Sequence, residues 1–139
     1  MIVGAVLDAN VFVSAAIQRG PSFRIVEAWF ANRVFDLIVS EGVLSEVQDV
    51  LTRPRLAKWI THDDAVAFVR SIRTTADVVV DPSAIPETLR DSDDDYLVAL
   101  ARKNGADYIV SGDKDLLEWE EQNPPVVTPS AFEKILNTD

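Results

Sequence analysis

The sequence predicts an α/β fold, with a central, mostly parallel sheet of about five strands and helices on both faces. Three observations predict it. Apolar-rich runs of strand length recur at Ile2 to Leu7, Phe35 to Val39 and Val78 to Val80. The first is continuous, as expected of a parallel strand buried on both sides. Segments of helical period separate these runs, the alternation that builds parallel sheets through right-handed crossovers. Capping residues punctuate the boundaries: Ser40, Thr61, Ser92 and Thr128 each precede a helical pattern.

The elements follow in order. After Ile2 to Leu7, a short helix covers Val11 to Ile17. Gly20-Pro21-Ser22 breaks it, and Ser22 is the expected cap of a second helix, Phe23 to about Asn32. Phe35 to Val39 is the second strand. The helix capped by Ser40 runs to about Thr52 and stops before Pro54. Thr61 with Asp64 has the spacing of a capping box and opens a helix to about Thr75. Arg53 to Thr75 thus reads as a helical insertion beside the sheet. Val78 to Val80 is the third strand, and a Pro-containing loop spans Asp81 to Asp91. Ser92 with Asp95 repeats the capping-box spacing, and Gly105 is placed to end that helix. Asp107 to Ser111 is the fourth strand and Val126-Val127 a short fifth. Thr128-Pro129 starts the last helix, to about Leu136.

A chain of 139 residues, 47% hydrophobic, suits one domain over 1–139 with one core. No linker, repeat or low-complexity tract divides it. There is no cysteine, so disulfides and thiolate metal sites are excluded, and one histidine, His62, cannot build a multi-histidine zinc site. Any metal must be held by oxygen, which favours magnesium or manganese. No apolar stretch reaches the roughly 18 residues of a membrane span. The N-terminal apolar run is strand-length and lacks a preceding charged segment, unlike a signal peptide. The expectation is a cytoplasmic protein without a membrane partner. The net charge of −10 argues against general nucleic-acid affinity and implies a small basic footprint or a basic partner.

Four acids carry the chemical signal: Asp8, Glu46, Asp94 and Asp113. In such sheets, sites form beyond the carboxyl ends of the strands. Asp8 closes the first strand, and Asp113 follows the fourth by a short turn. Glu46 lies in the second turn of its helix and Asp94 in the first turn of another, and helices begin at that same edge. Val43, Leu44, Val47, Val50 and Leu51 form one helical arc, with Glu46 at its border and Ser45 and Asp49 pointing away. Tyr96, Leu97, Leu100 and Ala101 form another, with Asp94 at its margin and Asp95 off it. Each acid alone has an ordinary reading. Acids suit a first helical turn through the dipole, Glu46 fits a solvated face, and Asp113 in Ser-Gly-Asp-Lys-Asp fits a turn. Their agreement on one rim points to a divalent cation and a metal-dependent hydrolase.

These segments resemble the PIN-domain nucleases, especially the branch of toxins in toxin–antitoxin pairs. The marks are Val6-Leu7-Asp8-Ala9-Asn10-Val11, Ser40-Glu41-Gly42-Val43-Leu44-Ser45-Glu46-Val47, Asp91-Ser92-Asp93-Asp94-Asp95-Tyr96-Leu97, and Asp107-Tyr108-Ile109-Val110-Ser111-Gly112-Asp113-Lys114-Asp115. The resemblance covers nearly the whole chain and implies a PIN-like fold. It maps the family's acidic site onto Asp8, Glu46, Asp94 and Asp113. It places Asn10 and Ser111 as the small polar residues that orient carboxylates or phosphate. Asp91, Asp95 and Asp115 are neighbours able to assist. It implies magnesium- or manganese-dependent cleavage of single-stranded RNA, a homodimer, and inhibition by a cognate antitoxin.

On this reading Asp8, Asp94 and Asp113 bind metal directly. Glu46 binds it too or orients the attacking water. Arg53, Arg55, Lys58 and Trp59 offer cations and a stacking ring for RNA, against the alternative of a solvated helix end with a core Trp. Lys114 meets phosphate or offsets local charge. Glu118 to Glu121 reads as a solvated face with Trp119 partly packed, and His62 as a surface residue. Three rivals share the acidic rim. A haloacid-dehalogenase-type phosphoryl-transfer enzyme opens on strand–Asp-x-Asp, but Asn10 stands where its second acid belongs. A phosphoacceptor receiver domain carries paired acids after its first strand, whereas Asp8 stands alone. A catalytically silent PIN-like binding module is separated from the enzyme by assay.

Overall fold

The computed structural model describes residues 2–83 and 92–138, with the backbone alone for 92–94. Five strands form one parallel sheet: β1 (Gly4–Leu7), β2 (Asp36–Ser40), β3 (Val78–Val79), β4 (Tyr108–Val110) and β5 (Val126–Val127). Their spatial order is β3-β2-β1-β4-β5. The register pairs Val6 with Ile38 on one side and with Ile109 on the other. The chain first builds outward from β1 through β2 to β3, then returns to lay β4 on the free side of β1. The direction reverses between β1 and β4, the place where open α/β sheets leave a crevice.

Among the described residues seven helices accompany the strands: α1 (Ala9–Ile17), α2 (Pro21–Asn32), α3 (Glu41–Leu51), α4 (His62–Thr75), α5 (Ser92–Lys103), α6 (Lys114–Leu117) and α7 (Pro129–Leu136). A 3₁₀ turn, Pro54–Leu56, joins α3 to α4. Ala5, Val6 and Leu7 are at most 1% exposed. Successive strand residues point to opposite faces, so both faces of β1 are covered. Phe12, Phe35, Ile25, Leu44, Ile109 and Phe132 fill the core around it. The Phe35 and Phe132 rings meet edge to face at 5.1 Å, a favoured aromatic geometry.

Most boundaries follow local chemistry. Ser40, Thr61 and Thr128 accept from the backbone N–H groups of Val43, Asp64 and Ala131. Each satisfies one orphan donor of its helix. Gly105, at φ +64, ends α5 in a Schellman turn. The Ala106 N–H reaches Ala101 O at 2.9 Å and the Gly105 N–H reaches Arg102 O at 3.4 Å. The left-handed conformation is why glycine stands there.

Three details of the helices differ from the sequence expectation. The cap of α2 is Gly20, with Pro21 in the first helical turn, so Ser22 lies inside the helix, where it is buried. Proline has no N–H to lose at that position, which lets the helix start earlier. Ser92 is the first residue of α5 and not its cap; residues 84–91, which held the rest of the expected loop, lie outside the described residues. The helix α6 was not anticipated, because four residues leave no helical periodicity to read.

Candidate active site

Two of the four acids, Asp8 and Asp113, lie at the reversal point between β1 and β4 and are linked through Ser111. The Asp8 N–H donates to Val110 O at 2.9 Å, so the ladder carries Asp8 one residue past β1. Its side chain then turns back as the cap of α1. Oδ1 accepts from the Asn10 N–H at 3.2 Å, and Oδ2 accepts from the Ser111 hydroxyl at 2.8 Å. Asp8 is 9% exposed and Ser111 fully buried. Ser111 also accepts from the Asp113 N–H at 2.9 Å. One hydroxyl therefore joins the acid after β1 to the backbone of the acid after β4. Asp113 in turn caps α6, its Oδ1 accepting from the Asp115 N–H at 2.8 Å. The short helix starts there because Asp113 supplies that cap.

Glu46 is exposed on α3. Its charge contributes to raising the pKa of the Tyr96 hydroxyl on α5, so it lies within electrostatic reach of the start of that helix. Asp94 lies in the first turn of α5, but its side chain is outside the described residues. Among the described residues, no three His, Cys, Asp or Glu side chains stand together as a metal-holding group. Asn10 is exposed beside Asp8, and Lys114 opens α6 with its ammonium 3.9 Å from the Glu118 carboxylate. Asp95 is 3% exposed, against the expectation that it points off the packed arc. The buried face of α5 is wider than that arc. Val98, one turn on from Asp95, is buried beside Leu97, Leu100 and Ala101.

A second polar cluster adjoins this rim. The Tyr96 hydroxyl hydrogen-bonds Ser40, at the end of β2, and the Asp81 carboxylate, just past β3. Asp81 also accepts from the Gly42 N–H at 3.2 Å. Burial and the Asp81 carboxylate push the Tyr96 hydroxyl up to about 12. The Tyr96 hydrogen bond holds the Asp81 carboxyl below its usual range. A Cβ on Gly42 would lie 2.6 Å from the Tyr96 hydroxyl oxygen and 2.7 Å from Asp81 Oδ1. The cluster ties α3, which carries Glu46, to α5. From sequence alone Tyr96 is only part of a buried arc and Ser40 only a helix cap. The one local signal was the glycine in the first turn of α3.

The basic cluster lies apart. Arg73 on α4 pairs with Glu41 at the start of α3, Nε to Oε1 at 2.9 Å, so α3 and α4 run antiparallel. Residues 52–61 form the turn at the far end. Eleven residues of α3 at the helical rise put that turn about 16 Å from Ser40. Trp59 is 55% exposed there, which removes the core-Trp alternative.

A family model described as PIN domain matches residues 4–115. The chain belongs to the PIN-domain family, whose members are generally nucleases. The fold is similar to that of PAE2754 from Pyrobaculum aerophilum, at 17% identity and a TM-score of 0.69, covering 99% of this chain and 91% of that one. It is also similar to VapBC2 from Rickettsia felis, whose structure is bound to a DNA fragment from their promoter. That match has 13% identity and a TM-score of 0.60, and covers 91% of this chain and 98% of that one. No curated protein matches the chain. No described helix is long and apolar enough to cross a membrane.

Proposed function

We propose that this PIN-domain protein is a cytoplasmic endoribonuclease that cleaves single-stranded RNA with magnesium or manganese, and that it is the toxin of a toxin–antitoxin pair. The observation that carries the reading is the Asp8–Ser111–Asp113 connection at the sheet's reversal point. The donors fit a hard cation, since every group is a carboxylate or hydroxyl oxygen. Asp8, Asp94 and Asp113 would hold it, with Glu46 at the same rim.

When bound, the cation supplies charge stabilisation at the scissile phosphate and acidifies an attacking water. Ser111 fixes the Asp8 carboxylate through its hydrogen bond, and the caps of α1 and α6 hold Asp8 and Asp113 against rotation. Glu46 orients the attacking water or adds a ligand. Lys114 reaches a substrate phosphate. Water adds to phosphorus and the 3′ oxygen leaves, giving a 5′-phosphate and a 3′-hydroxyl.

The toxin reading adds a homodimer and an inhibitory partner. The likeness to VapBC2 supports it, as does an apolar groove of about 270 Å³ between α1, α2 and α4. Phe23, Phe30 and Phe68 line that groove.

The test is cleavage of single-stranded RNA with magnesium or manganese by the wild type and by Asp8→Asn, alongside thermal melts. The expected result is metal-dependent cleavage that the variant loses while keeping a cooperative melt. Full activity in Asp8→Asn would remove the assignment. Binding of RNA without cleavage by the wild type would favour a silent module.

A further inference from the structure

We infer that the turn between α3 and α4 is a separate anchoring site for single-stranded RNA, built from Trp59, Arg55 and Lys58. The inference rests on the ribonuclease reading for its substrate and goes beyond it in placing a second contact about one helix length from the acidic rim.

Composition marks the turn out. The chain has a net charge of −10, yet Arg53, Arg55 and Lys58 fall within six residues. Arg53 is paired with Asp49 at 2.9 Å. Among the described residues, Arg55 and Lys58 have no carboxylate partner, and both are exposed. Neither cation is tied up in an ion pair among these residues, so both can meet a ligand. A phosphate backbone is the ligand class that such cations serve.

The aromatic group is placed to match. Lys58 Nζ stands 4.4 Å from the centre of the Trp59 ring, and the ring is 55% exposed. A large apolar ring left half in water beside cations that have no carboxylate partner is a combination that stacks bases without sequence preference. The pedestal is fixed. The N–H groups of Leu56 and Trp59 donate to Arg53 O and Leu56 O at 2.9 and 3.0 Å, and Leu56 is buried beneath. The backbone that carries the ring is therefore ordered before a base arrives, which lowers the cost of binding.

The separation also suits the electrostatics. Without a cation, the rim acids repel phosphate, so RNA held by the metal-free protein must be held elsewhere. A strand anchored at the turn would run along α3 toward Glu46 and the rim.

The experiment measures binding of a fluorescent single-stranded RNA of about 16 nucleotides, the upper site size of such grooves, to the full chain in chelator. Trp59→Ala is expected to weaken binding at least about fivefold, and Trp59→Phe to restore most of it. Arg55→Ala with Lys58→Ala should flatten the salt dependence by about 0.7 per lost phosphate contact. Cleavage by the wild type with magnesium or manganese is measured separately. Cleavage with no change of affinity in Trp59→Ala overturns the anchoring site and leaves the nuclease reading in place. Trp59-dependent binding without any cleavage does the reverse. Absence of RNA binding in chelator, or a changed sedimentation of Trp59→Ala at unchanged affinity, also overturns the inference. The sedimentation result would assign the turn to a protein interface.

Discussion

Gly42 and Tyr96 approach so closely that a single methyl group on Gly42 would lie 2.6 Å from the tyrosine oxygen. That oxygen is committed to Ser40 and Asp81. Gly42→Ala therefore has two opposed effects. Alanine gains about 0.5–1 kcal/mol in an α-helix. Displacing Tyr96 and Asp81 loses hydrogen bonds worth about 0.5–1.5 kcal/mol each. We expect a net loss of about 1 kcal/mol by chemical denaturation. In a Tyr96→Phe background the clash with the hydroxyl is gone, so the cost should shrink. An equal cost in both backgrounds would show that Tyr96 is not what excludes the methyl.

Ser111→Ala should act on Asp8. The change leaves a buried carboxylate oxygen and the Asp113 N–H without the hydroxyl they share. Hydrogen bonds to charged groups contribute about 1.5–3 kcal/mol, and we expect a stability loss in that range. Losing a group that orients a metal ligand typically costs about 10–100-fold in affinity. Calorimetric titration of manganese into folded protein should register a drop of that order. Ser111→Thr keeps the hydroxyl and should recover metal affinity more fully than stability, since position 111 is fully buried. Unchanged manganese affinity in Ser111→Ala would separate Ser111 from the metal site.

Parts of this architecture were legible because their causes are local. The apolar run before Asp8 is buried on both faces, and a strand so placed can tolerate no polar alternation. Ser40, Thr61 and Thr128 cap helices through their own side chains, so sequence alone locates those starts. The placement of Asp8 and Asp113 at one crevice follows from strand order. What was illegible joins distant residues. Tyr96 meets Ser40 and Asp81 across three separate elements, and no spacing within α5 announces it. Asp95 is buried because the packed face of α5 is wider than the single arc its apolar residues suggest. The basic turn was readable as composition, and its distance from the rim follows from the length of α3; what the sequence did not announce is that α4 folds back along α3, as the Arg73–Glu41 pair records.

The joint between α2 and α7 should give an acid-sensitive contribution to stability. Arg24 and Glu133 form a two-pronged pair, Nε to Oε2 at 2.5 Å and Nη2 to Oε1 at 3.0 Å. The hydrogen bond from Arg24 lowers the Glu133 pKa. A lowered folded-state value favours the native state above the unfolded Glu pKa of about 4.3. That contribution is lost as pH falls through the folded value. Arg24 is exposed and Glu133 only partly covered, so the effect is small and salt weakens it. Glu133→Gln should remove this component from a stability–pH curve between roughly pH 5 and 3, leaving the neutral range nearly unchanged. Identical acid limbs for wild type and variant at low salt would show that the pair contributes nothing.

An inhibitory partner should combine apolar docking with a basic group at the rim. Phe23, Phe30 and Phe68 line a groove that suits the apolar face of a helix folding on binding. The carboxylates of Asp8 and Asp113 lie at the sheet's reversal point, where an arginine could pair with them and compete with a cation. The two contacts respond differently to conditions. Salt should weaken the ionic part and leave the apolar part standing. Phe68→Asp places a charge in the groove and should abolish the complex even at low salt. The measurement is co-purification with the product of the adjacent gene, followed by RNA cleavage with and without that partner. A complex that survives Phe68→Asp would move the docking surface elsewhere. One that forms yet leaves cleavage unchanged would remove the antitoxin reading and leave the nuclease standing.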